Sequence, residues 1–168
     1  MNKVLYITFL FLSLLFLQVF VFNNILFLGY INPYLYIAFV IFYPLKKERY
    51  LFLFLSFLLG ISIDFFSDSG GINAFSLLFI AYIRLFLVRI IFKKTEQDYL
   101  LFNLNQEPFG KVFNYVIILI LVHHFILFSL ANFSTQNFLS VLTNTLYSSI
   151  FTSILFFIGT FIIRRNNK

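Results

Sequence analysis

From residue 4 to residue 22 the chain carries no charged side chain. That one run constrains the fold more than any other feature. A helix rises 1.5 Å per residue, so about twenty apolar residues cross the roughly 30 Å hydrocarbon core of a bilayer. Comparable runs recur at 25–43, 50–66, 72–92, 112–131 and 141–163. The chain is 61% hydrophobic and 11% charged, and its apolar residues are not confined to one stripe per helix as in a soluble bundle. The expectation is an all-α integral membrane protein with about six transmembrane helices, a single polytopic domain over 1–168. The first run follows Lys3 as a signal peptide would. It is too long for a signal-peptide core and no A-x-A-like site precedes Asn23, so a retained helix is expected.

The run 25–43 contains Gly29, Asn32 and Pro33, which should kink or interrupt it. Runs three and four are joined by Ser67, Asp68, Ser69, Gly70 and Gly71, a turn sequence that makes them an antiparallel hairpin. Orientation follows from the basic residues. Counted on alternate sides of six spans, ten Lys and Arg fall on one side and none on the other, while Arg84 and Arg89 lie inside the fourth run. The positive-inside rule then places both termini in the cytoplasm.

Several function classes are excluded or weakened by composition. The chain has no cysteine, so thiolate metal sites and Cys nucleophiles are absent. The net charge of +6 comes from residues flanking apolar runs and forms no aromatic-interleaved basic groove, so no nucleic-acid partner is expected. The 28 Phe and ten Tyr match what an AT-rich coding sequence favours. No Walker-type loop or activated nucleophile is recognisable. No catalytic, cofactor or metal residue is assigned.

The polar residues inside the runs are interaction candidates instead. Ser56, Gly60 and Asp64 recur every four residues and share one helix face, where small residues let helices approach closely. Asp64 is either paired in the bundle or hydrated at the outer interface. Asn73, Ser76, Ile80 and Arg84 share a side of the fourth helix; Arg84 either makes an inward structural contact or snorkels. The neighbours His123 and His124 point about 100° apart, unlike an i, i+4 metal pair, and read as interhelical hydrogen-bonding residues. Asn144, Ser148 and Thr152 form a packing stripe on the last helix. Counted from the cytoplasmic ends, Asp64 lies at about 21 Å, His124 at about 18 Å and Arg84 at about 12 Å, so the three are expected to form one polar cluster. An intramembrane aspartyl peptidase is the main enzyme rival. Its two aspartates should come from separated segments, whereas Asp64 and Asp68 share one turn.

The stretch from Pro33 to Arg84 resembles the rod-shape-determining membrane protein family MreD. The resemblance rests on Pro33, on Lys46-Lys47-Glu48-Arg49, on Gly60-Ile61-Ser62-Ile63-Asp64, and on the sequence from Ser67-Asp68-Ser69-Gly70-Gly71 through Asn73 to Ser76. It implies a non-enzymatic component of the wall-elongation machinery in the bacterial cytoplasmic membrane. The partners it implies are MreC, the actin-like MreB, and the wall-elongation glycosyltransferase and transpeptidase; Gly60, Asp64, Asp68, Gly71, Asn73, Arg84 and His124 are the structural and interaction candidates. The family is also similar in fold to the substrate-binding membrane subunits of energy-coupling-factor transporters, which makes a vitamin or small-molecule transporter subunit the alternative.

Overall fold

The computed structural model of the chain describes residues 3–25, 32–45, 49–94, 98, 102–132 and 138–166, with the side chains of 105 and 163–166 outside the description. Every regular element among them is helical. Helix α1 (Lys3–Phe16) continues through a π turn (Leu17–Val21) and a 3₁₀ turn (Phe22–Asn24); α2 (Ala38–Phe42) follows a 3₁₀ turn (Leu35–Ile37). The remaining long helices are α3 (Tyr50–Ser67), α4 (Ile72–Phe92), α5 (Phe109–Ala131) and α6 (Phe138–Asn166). Among the described residues, five segments are long and apolar enough to cross a membrane: Lys3–Asn24, α3, α4, α5 and the Phe138–Ile162 part of α6. The protein is a helical, multi-pass membrane protein by these criteria.

The second run is interrupted, as Asn32 and Pro33 predict, and among the described residues it contributes no membrane-length helix. Its described part is regular only over Leu35–Phe42. Asn32, Pro33 and Tyr34 are non-helical, Tyr34 at φ −111° and ψ 74°. Pro33 has no N–H to give a preceding turn, and it pushes Asn32 away from helical torsions. Gly29 and the basic residues Lys46 and Lys47 lie outside the described residues, as do Lys168 and the side chains of Arg164 and Arg165.

Contacts fix the direction of each pass. Asn23, in the 3₁₀ turn that follows α1, donates to Ser67 Oγ at the end of α3 (2.8 Å). Tyr36 reaches Asn73 in the first turn of α4, whereas the Tyr43 carbonyl meets Arg84, eleven residues and about 16 Å further along that helix. The segment 33–45 therefore runs alongside α4 in the same sense. In α5, Tyr115 lies beside Arg84 and His123 beside Tyr36; in α6, Thr152 lies beside His124 and Phe157 beside Phe113. Successive passes alternate in direction. The interior is closed by Tyr36, Phe39, Leu59, Ile63, Leu77, Ile80, Tyr115 and Leu119, while Phe9, Phe54, Phe65, Phe86 and Phe161 face outward. An apolar exterior of this extent would promote association in water and is matched by lipid.

Candidate functional site

The polar core begins at Gly60. A Cβ built there would stand 2.4 Å from Ala74 Cα, 2.8 Å from Ala74 N and 2.9 Å from Asn73 O. The backbones of α3 and α4 touch at this point, a distance open only to glycine. One helical turn beyond, that approach sets the Asp64 carboxylate over the first turn of α4. Asn73 N–H donates to Oδ1 (3.0 Å) and Ala74 N–H to Oδ2 (2.8 Å). These are N–H groups that a helix cannot satisfy by itself, and the negative charge sits at the positive end of the helix dipole. Helix α4 has no side-chain cap from its own Gly71; Asp64 of the preceding helix supplies it. Ser69 Oγ and Asn73 Nδ2 (2.9 Å) complete the set on Oδ1.

The turn between the helices needs three left-handed residues: Asp68 at φ 50°, Gly70 at 65° and Gly71 at 95°. Glycine adopts such torsions freely and aspartate is among the few other residues that tolerate them. Asp68 ends α3 with its side chain exposed. Its contribution is to the backbone of the turn, and it takes no part in the Asp64 network.

That network extends inward. With Asn73 Nδ2 donating to Asp64, Asn73 Oδ1 is the acceptor for the Tyr36 hydroxyl (2.7 Å), and Tyr36 Oη in turn accepts from His123 Nε2–H (2.9 Å). The hydrogen-bond inventory thus assigns His123 the Nε2–H tautomer. Its Nδ1, a bare lone pair, has no partner among the described residues. His124 takes the opposite tautomer. Its Nδ1–H donates to Ile120 O (2.8 Å), leaving Nε2 to accept from Thr152 (3.2 Å), whose Oγ1 accepts Tyr34 N–H (3.1 Å). Adjacent histidines at the same depth therefore serve different helix contacts, His123 the broken segment and His124 the last helix.

The expected Asp64–Arg84–His124 cluster is not formed. Asp64 is held at the start of α4, and Arg84 lies three turns away on the same helix. Arg84 is 2% exposed and directed inward. Nε donates to Tyr115 Oη (3.1 Å), Nη2 donates to the carbonyls of Ile41 (3.3 Å) and Tyr43, and the Phe52 ring lies 5.1 Å from the guanidinium. Those carbonyls are at the end of α2, where the chain leaves the helix and Pro44 can offer no N–H in return.

Gln18 was missed by the sequence reading. Fully buried in the π turn, it accepts Leu35 N–H at Oε1 (2.9 Å) and donates from Nε2 to Pro33 O (3.0 Å) and Asn23 Oδ1 (2.9 Å). Together with Thr152 it gives partners to three backbone groups beside the break, Pro33 O, Tyr34 N–H and Leu35 N–H, as non-helical backbone inside a bilayer requires. The signal was a lone amide in the middle of an apolar run. No group of three or more His, Asp or Glu that could hold a metal occurs among the described residues. No family model, characterised protein or solved structure matches the chain.

Proposed function

We propose that the protein is a membrane scaffold of the bacterial wall-elongation machinery, acting in the cytoplasmic membrane by binding MreC and, with it, MreB and the wall-elongation glycosyltransferase and transpeptidase. The observation that carries this reading is the device formed by the residues of the MreD-like stretch. Gly60 permits a backbone contact, Asp64 caps α4, and Asn73 ties that cap to the broken segment. Four donors occupy the Asp64 carboxylate, about as many as its lone pairs accept. A group so committed fixes helix arrangement and is poorly placed to act as a peptidase base. Depletion should disturb cell shape or the placement of wall synthesis while leaving the intrinsic activity of purified wall synthases unchanged. Hydrolytic activity in the pure protein that disappears in Asp64→Asn would overturn the reading.

A transporter substrate-binding subunit is the second reading. The buried hydroxyls of Thr145, Ser148 and Ser149 on α6, unpartnered among the described residues, are the observation that favours it, since a ligand cavity needs convergent polar groups. Capture in mild detergent separates the two: MreC supports the scaffold, and an ATPase module with a bound vitamin supports the transporter.

A further inference from the structure

Arg84 is a buried cation whose hydrogen-bond acceptors among the described residues are a phenol and two backbone carbonyls, each neutral. No carboxylate pairs with it among the described residues. An unbalanced charge at membrane depth is costly, and such charges mark partners or ligands. Arg84 also does not stand alone. It and Arg49 line one cleft, walled by Tyr43, Leu45, Phe52 and Leu85. Arg49, at the start of α3 and half-buried, donates to Tyr82 O (3.4 Å) and lies 5.7 Å from the Tyr82 ring, so it too has a neutral hydrogen-bond partner. Two guanidinium groups border one cleft, and an anion seated there would be attracted by both.

We infer that the cleft between Arg49 and Arg84 binds a phosphate-type oxyanion. The cleft holds about 10 Å³, room for one water. One oxygen of a tetrahedral anion enters toward Arg84 while the rest of the group stays at the mouth beside Arg49. With Nε and Nη2 of Arg84 committed to Tyr115 and the two carbonyls, Nη1 is left to donate to an anion oxygen, and the exposed side of the Arg49 guanidinium supplies further N–H donors. The same chemistry could come from the headgroup of an anionic phospholipid or from free phosphate.

The test uses the full chain, delipidated in a zwitterionic detergent, with thermal unfolding and native mass spectrometry as readouts. Phosphatidylglycerol, phosphatidylcholine and inorganic phosphate are titrated separately. The expected result is stabilisation by phosphatidylglycerol and retention of that lipid, with no equal effect of phosphatidylcholine. Stabilisation by phosphatidylglycerol alone assigns the anion to a lipid; stabilisation by inorganic phosphate as well assigns it to the free ion. Either upholds the site. Arg49→Gln should weaken the response about tenfold. Arg84→Lys, which keeps the charge but gives up the bonds to Tyr115 and the two carbonyls, should weaken it as well; Arg49→Gln leaves those buried bonds in place and is the variant that separates loss of binding from loss of folding. Equal responses to the two lipids, or a phosphatidylglycerol response unchanged in both variants, would overturn the inference.

Discussion

A single hydrogen atom's worth of space decides how the central hairpin closes. Because a methyl at Gly60 would press on backbone and not on a yielding side chain, Gly60→Ala should force α3 and α4 apart and cost about 1–3 kcal/mol, the range for overpacking. Gly159→Ala, in a helix with open space around the position, should be near neutral, and detergent unfolding of the two variants side by side measures the difference. The same separation would pull Asp64 off its donors. Both carboxylate oxygens accept, whereas an amide offers one acceptor and turns its NH₂ against the other donors. Asp64→Asn should therefore cost about 2 kcal/mol, the worth of a hydrogen bond to a charged group. Asp64→Leu, which removes every acceptor, should cost more. An Asp64→Asn variant as stable as the parent would show that the cap does not hold the hairpin.

Elements differ in how far pattern alone describes them. The hairpin was legible because its signals are local: four-residue spacing of Ser56, Gly60 and Asp64, and glycines where torsions must be left-handed. What Asp64 touches was not legible, because its cap donors are backbone N–H groups, which no side-chain pattern marks. Tyr36, which carries the inward network, and Tyr115, which meets Arg84, are hidden among ten tyrosines. Hydropathy also overestimated the second run as a helix, since a buried broken segment and a spanning helix are equally apolar; Pro33 revealed the break but not how its backbone groups are satisfied. Gln18 does that, and it makes a direct test. Gln18→Leu keeps the volume roughly constant but leaves Leu35 N–H and Pro33 O without their partner. Unpaired buried backbone groups cost about 1–3 kcal/mol each, so this variant should unfold early in detergent.

For the whole molecule, the alternation of passes turns a charge count into a topology. Because the segment 33–45 descends beside α4 between the levels of Asn73 and Arg84, residues 4–45 make an even number of passes although α2 itself is short. Lys3, Arg49, Lys93, Lys94 and Lys111 then belong to one end of the bundle, and the Ser67–Gly71 turn to the other. Basic residues near span ends are retained on the cytoplasmic side, so the basic end should be inside, with both termini there. The absence of cysteine makes the test clean, since any label reports only the introduced thiol. Ser140→Cys and Lys111→Cys alter exposed positions at opposite ends of the bundle. In intact cells whose outer barrier has been made permeable, a membrane-impermeant maleimide should label Ser140→Cys and spare Lys111→Cys. Lys111→Cys should react only after the cytoplasmic membrane is opened. Labelling of Lys111→Cys from outside would invert the bundle, and labelling of both from one side would mean that residues 111–140 do not cross.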